Sequence, residues 1–274
     1  MSNTHPMILF YDKETRAGAT AMLDKGAMPR EQHEFDAGSF GDWTHIVSDG
    51  RLLLFYSNES LAGATALLDD GAMLHEQHEF EPKTFGQWTH IVSDGRFFLF
   101  YDKNTRAGAT ALIDDGGMLH EQHEFDAGSF GDWTHIVSDG RFLLFYSKDN
   151  RAGATALIDD GGMLHEQHEF DPDSFGDWTH IVSDGRFLLF NSNESLAGAT
   201  ALLDGGGMLH EQHEFDPGSF GRWTNIVSDF ARRSVTPAPV PHETPQAQPT
   251  PAPQPSRPHS QPFDDGPDLH PIDG

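Results

Sequence analysis

The 274-residue chain has no cysteine, which excludes disulfides and thiolate chemistry but leaves the compartment open. Basic residues are scarce: 17 Lys and Arg stand against 43 Asp and Glu, for a formal net charge of −26. A charge of this sign repels phosphate backbones and anionic lipid heads, so nucleic acid and membrane surfaces are not expected partners. No apolar run approaches the roughly 20 residues that span a bilayer. The opening Met-Ser-Asn-Thr-His-Pro lacks the basic-then-apolar order of a secretory signal. The localisation is left unassigned, between the cytoplasm and a non-classical export route. Proline is sparse through most of the chain, since twelve of its 17 copies fall in residues 232–274.

What is present is regular. Trp43, Trp88, Trp133, Trp178 and Trp223 are each separated by 45 residues. The repeat frames as 7–51, 52–96, 97–141, 142–186 and 187–231, after an N-terminal extension of residues 1–6. A period of 45 suits either propeller blades or two-helix repeats, and the interior of the unit decides between them. Trp133 to Val137 is a β-branched and aromatic run, closed by the turn signal Ser-Asp-Gly. Phe142 to Tyr146, Ala152 to Ile158 and Met163 to Phe170 are three further runs of strand length, separated by Asp, Asn and Gly. Helices would need longer uninterrupted segments than these turns permit.

Polarity rises through the unit. The second run is apolar on both faces, the third is rich in Ala and Gly, and the fourth, Leu-His-Glu-Gln-His-Glu-Phe, is charged as an exposed edge should be. This predicts an all-β fold, a five-bladed β-propeller of four-stranded antiparallel blades. The register of the ends predicts how the ring closes. Met7 to Tyr11 matches a second strand and Trp223 to Asp229 matches a first, so N- and C-terminal strands are expected to pair in one blade. Residues 232–274 mix proline with Gln, Ser, Thr and Ala. They cannot bury enough apolar surface to offset ordering entropy, so a disordered or polyproline-like tail is expected.

The Gly-x-Trp step (Gly41-Asp42-Trp43, Gly86-Gln87-Trp88, Gly131-Asp132-Trp133), followed by a turn and a second strand such as Phe142-Leu143-Leu144-Phe145, resembles the tachylectin-2-like and tectonin-like propeller lectins. That resemblance spans the 225 repeat residues and implies five blades and carbohydrate binding.

Chain direction places the second-to-third turn and the blade-to-blade connection on one rim. There an aromatic face can meet a sugar ring and carboxylates its hydroxyls. The candidate ligand-binding residues are Trp43, Trp88, Trp133, Trp178 and Trp223, with Asp42, Asp132 and Asp177 beside them. The bland reading is that each tryptophan packs between blades. Asn191 replaces the tyrosine of the earlier units (Tyr56, Tyr101, Tyr146), so a fifth site would differ.

The other rim carries Asp49, Asp94, Asp139 and Asp184, and the pairs Asp69-Asp70, Asp114-Asp115 and Asp159-Asp160. Such carboxylates suit Ca²⁺. Asp-Gly is also an ordinary hairpin dipeptide, and EF-hand spacing is missing. No metal site and no cofactor is expected. Nine histidines lie in the fourth strands and four more follow Trp-Thr. At i and i+3 on a strand they are expected to face opposite sides as exposed edge residues, titrating near 6.5.

Nearly every reactive residue occurs in four or five copies, and catalysis usually needs a unique asymmetric group, so no enzymatic activity and no catalytic residue is expected. Repetition favours multivalent binding. The expected function is a monomeric, lectin-like propeller with up to five equivalent shallow sites, taking neutral glycans in preference to anionic ones. The alternative is a non-enzymatic protein-interaction scaffold that uses one propeller face and the proline-rich tail.

Overall fold

A computed structural model describes residues 7–23, 29–224 and 226. The extension 1–6 and the tail 232–274 lie outside these. The described residues form an all-β five-bladed propeller without a helix. We number the blades 1 to 5 by their order in the chain. Blade 3 runs His90–Ser93, Phe97–Asp102, Ala107–Ile113, Leu119–Phe125, and each strand pairs antiparallel with the next. Blades 2, 4 and 5 repeat this within residues 45–80, 135–170 and 180–215. Blade 1 shows three strands, Met7–Asp12, Ala17–Leu23 and Pro29–Phe35. The strand expected from Trp223 to Asp229 to complete it falls largely outside the described residues.

The order from hub to edge follows from side-chain character. First strands of successive blades lie against one another around the hub. Second strands are sandwiched, and Phe98, Leu99 and Tyr101 are at most 1% exposed. Third strands use small residues for close sheet-to-sheet approach. A Cβ on Gly108 would meet the Phe130 ring at 2.6 Å and the Phe100 carbonyl at 2.8 Å, so the loop phenylalanine can lie on this strand only if the residue there is glycine. Beside it the buried Thr110 hydroxyl donates to the Gly162 carbonyl of the next blade. Thr20, Thr65 and Thr155 do the same to Ala72, Gly117 and Gly207. Each such bond is worth about 1 kcal/mol net, and a buried group left orphaned costs about 1–3 kcal/mol.

Two local readings are corrected. The tryptophans do not open the first strands. Those strands are four residues long, as in His135–Ser138, and Trp133 lies before the pairing, in the connection. The fourth strands carry a β-bulge. Thr110 pairs His123, Ala111 pairs Glu121 and Leu112 pairs His120, so Gln122 is the extra residue. An inserted residue resets the alternation, and this one brings His120 and His123 onto the same face, that of Thr110 and Leu112. The expectation of opposite faces holds only for an unbroken strand.

Candidate functional site at the inter-blade clefts

The connection that enters each blade folds back tightly. A Cβ on Gly131 would stand 2.7 Å from the Trp133 indole, and Gly41, Gly86 and Gly176 are equally close to Trp43, Trp88 and Trp178. Gly-x-Trp is therefore a packing motif in which the indole lies over the glycine two residues before it. The indole also meets a second-strand phenylalanine. Trp43–Phe55, Trp88–Phe100, Trp133–Phe145 and Trp178–Phe190 have centroids 5.7–5.8 Å apart. These four indoles are half-buried, whereas Trp223 is 50% exposed.

A tyrosine from the preceding blade clasps the same step. The Tyr101 hydroxyl donates to the Gly131 carbonyl at 2.8 Å and accepts from the Trp133 N–H at 3.1 Å. Tyr11, Tyr56 and Tyr146 clasp Gly41–Trp43, Gly86–Trp88 and Gly176–Trp178 in the same way. Burial holds the phenols of Tyr56, Tyr101 and Tyr146 above their ordinary pKa, so the hydroxyl keeps the proton that it donates.

The candidate carboxylates sit at the cleft mouths, each facing a lysine from the blade before. Lys13 lies 3.8 Å from Asp42, Lys103 lies 3.6 Å from Asp132, and Lys148 lies 3.4 Å from Asp177. Lys148 also donates to Glu194 at 3.0 Å, and chiefly for that reason its pKa is raised. At each of these three steps an ion-paired carboxylate thus directly precedes a half-buried tryptophan in the chain. The second cleft has Asn58 and Gln87 in place of the charged pair. The sequence reading noted the tyrosines only through their replacement by Asn191 and missed the lysine partners. The 45-residue recurrence of a polar residue two positions after each second-strand tyrosine was the signal available for them.

The histidines divide into two sets. Those after Trp-Thr are half-buried hub residues rather than exposed edge residues. His90 Nε2 donates to the Thr134 carbonyl at 3.1 Å and His135 Nε2 to the Thr179 carbonyl at 3.1 Å, with His45 and His180 alike. A carbonyl can only accept, so Nε2 carries the proton, and in the neutral ring Nδ1 is an acceptor that shares the single proton of the preceding threonine hydroxyl (Thr89 for His90, 2.9 Å) with the Tyr101 carbonyl. Burial first, and for His90 and His135 their histidine neighbours as well, hold His45, His90 and His135 below the ordinary histidine pKa. The expectation that all propeller histidines titrate near 6.5 is corrected for these three.

On the opposite rim the aspartates serve the turns. Asp114 Oδ1 accepts from the Gly116 and Met118 N–H groups, and Oδ2 pairs His120 Nε2 at 2.8 Å. Asp69, Asp159 and Asp204 repeat this with His75, His165 and His210. Asp94 and Asp139 accept from the two N–H groups that follow in their hairpins, and burial raises both. Arg51 and Arg96 pair with Asp115 and Asp160 of the following blade.

No protein-family model matches the chain, and no curated protein matches it in sequence. Solved structures do share its fold. A protein from Lactobacillus plantarum is 13% identical, covering 79% of this chain and 69% of its own, at a TM-score of 0.51. The periplasmic gluconolactonase PpgL of Pseudomonas aeruginosa is 16% identical over 79% and 67%, with a TM-score of 0.50. A chain of the nidogen/laminin complex is 14% identical over 83% and 82%, also at 0.50. At these identities the likeness is one of fold. It nevertheless overturns the expectation that this chain has no enzymatic activity. A protein that shares the fold is named as a gluconolactonase, so the fold does not exclude catalysis.

Proposed function

We propose that the chain is a multivalent carbohydrate-binding propeller of the tachylectin-2-like and tectonin-like kind, monomeric, with its sites at the inter-blade clefts. One observation supports this most: a half-buried indole recurs at four inter-blade steps, and at three of them the residue before it is an aspartate ion-paired to a lysine (Asp42 before Trp43, Asp132 before Trp133, Asp177 before Trp178). An indole offers its surface to the apolar side of a sugar ring. A carboxylate and an ammonium together accept from and donate to ring hydroxyls. Trp88 provides a half-buried indole and Trp223 a more exposed one, with different polar neighbours.

Neutral glycans fit this reading best, because the −26 net charge repels anions from the body as a whole. Weak sites held on one rigid ring gain affinity through effective concentration, by about 10²–10⁴ over a single site. The test is a glycan array probed with the full-length chain, followed by titration of the best neutral ligand. Changing Asp132 and Asp177 together to Ala should weaken binding to arrayed glycan at least tenfold while circular dichroism stays unchanged. A silent array, or binding indifferent to these changes and to Trp133→Phe, would overturn the proposal.

A further inference from the structure

Each hub histidine rests on the threonine before it, and that hydroxyl has more acceptors than protons. Thr89 Oγ1 lies 2.9 Å from His90 Nδ1 and 3.1 Å from the Tyr101 carbonyl, and it accepts from the Lys103 N–H at 2.8 Å. Thr134 stands in the same way to His135, Tyr146 and Lys148, and Thr44 to His45, Tyr56 and Asn58. A hydroxyl has one proton and two lone pairs. Beside the neutral ring its proton is divided between Nδ1 and the carbonyl, and one lone pair stays idle. The carbonyl depends little on that proton, because it also accepts from the threonine's own N–H (Thr89 to Tyr101, 2.9 Å).

A second proton on the imidazole resolves this competition. With Nδ1 protonated, the ring donates to Oγ1, and the hydroxyl turns its own proton wholly to the carbonyl. Oγ1 then donates once and accepts twice, which is its full capacity. On the other side of the ring Nε2 already donates across the blade boundary, from His90 to Thr134 and from His135 to Thr179, each at 3.1 Å. The imidazolium therefore has an acceptor for both N–H groups with the backbone where it stands. What opposes charging is burial and like charge. His45 and Lys103 face His90, while His90, His180 and Lys148 face His135. The Tyr101 and Tyr146 rings lie 5.6 Å from these two imidazoles, and Lys103 and Lys148 are themselves paired with Asp132 and Asp177.

We propose that the hub is a graded acid sensor: the threonines reverse their hydroxyls, and His45, His90 and His135 take up protons with the blades folded and no hydrogen bond given up. Each charged ring repels its neighbour across the blade boundary, so successive protons are resisted and the hub responds over a span of pH. Charging lowers stability, because the unfolded chain holds these protons more readily, but it leaves the hub contacts in place.

The test is a pH titration of the isotope-labelled full-length chain, followed by NMR at the imidazole nitrogens, with the His90 signals identified by their absence in His90→Gln. Above the midpoint Nε2 should carry a proton and Nδ1 none. Below it both should carry one, while the backbone amides of Phe97–Asp102 keep their folded shifts. Thr89→Val removes the acceptor for Nδ1–H, so the His90 midpoint should fall by about one pH unit, the order of one charge-assisted hydrogen bond. Thr89→Ser should restore it. A hydroxyl that only donates to a neutral Nδ1 requires the opposite sign, since its removal would make charging easier. In His90→Gln the His135 midpoint should rise, because a neighbouring charge has gone; an unmoved midpoint there overturns the graded response. A His90 midpoint raised or unmoved by Thr89→Val, or folded shifts lost at the pH where Nδ1 protonates, overturns the sensor. Should Thr89→Val fail to fold, the nitrogen shifts of the parent chain decide the matter alone.

Discussion

His90 and His120 belong to one blade, yet they do different work. On the hub strand, His90 is half-buried and reaches across to the carbonyl of the next blade. On the edge strand, His120 is exposed and reaches back to Asp114 in the turn of its own blade. The hub histidines therefore join first strands that share no ladder hydrogen bonds, while His75, His120, His165 and His210 on the edge strands reinforce turns that the backbone already closes.

The largest test of this contrast is removal of each side chain. His90→Ala leaves the Thr134 carbonyl unpaired and opens a gap beside the Tyr101 ring, 5.6 Å away. A loss of about 2–3 kcal/mol is expected, read by urea unfolding of the full chain. His120→Ala at the edge should leave the unfolding midpoint unchanged. Equal losses from the two changes would break the comparison.

Acid should separate the two sets next. His45, His90 and His135 are held below 6.5, so the unfolded chain takes up protons that the folded chain refuses. Their contribution is intact above pH 6.5 and declines as pH falls from there toward their folded values. Lys103 beside His90 and Lys148 beside His135 act in the same direction. The edge aspartates are lowered instead, Asp204 to about 2, mainly through the His210 hydrogen bond. Their contribution is present above about 3.8 and is lost as pH falls toward 2. Melting temperature against pH should therefore show two declines. His90→Gln, which keeps a donor for the Thr134 carbonyl but cannot titrate, should flatten the upper one.

A smaller effect isolates the threonine that serves each hub histidine. The Thr89 hydroxyl lies 2.9 Å from His90 Nδ1 and accepts from the Lys103 N–H at 2.8 Å. It also reaches the Tyr101 carbonyl at 3.1 Å, and Thr89→Val keeps the shape and removes all three contacts. A loss of about 1–2 kcal/mol is expected in the same unfolding assay, below that of His90→Ala.

How much of this was legible in the sequence depends on whether a signal was local or came from across a blade boundary. The blades were legible, since turn dipeptides and the outward rise in polarity are local. Ala152–Ile158 has the bounds the sequence suggested. The first strand was misplaced because Trp133 has strand propensity, but packing over Gly131 holds it in the connection. The bulge at Gln122 was not legible, since nothing in Leu-His-Glu-Gln-His-Glu-Phe marks an extra residue; the register comes from the neighbouring strand. At the candidate site, the tryptophans and aspartates could be named from the repeat. Their tyrosine and lysine partners come from the preceding blade, about 30 residues away in sequence. Hub histidines were unreadable as a set for the same reason, because each partner carbonyl belongs to the following repeat.

The smallest expected effect tests the edge alone. Asp114→Asn keeps an oxygen to accept from the Gly116 and Met118 N–H groups and removes the charge that pairs with His120. Because both side chains are largely solvated, the ion pair should matter little at neutral pH, and the melting temperature there should stay that of the parent chain. Below about pH 3.8 the variant should lose less than the parent, since one carboxylate no longer takes up a proton on unfolding. Amide exchange at Gly116 and Met118 should quicken, because a neutral acceptor holds an N–H less strongly than a carboxylate, while exchange along Phe97–Asp102 stays slow. If protection were lost in that second strand as well, the edge turns would be coupled to the hub, and the division between the two sets of histidines would not hold.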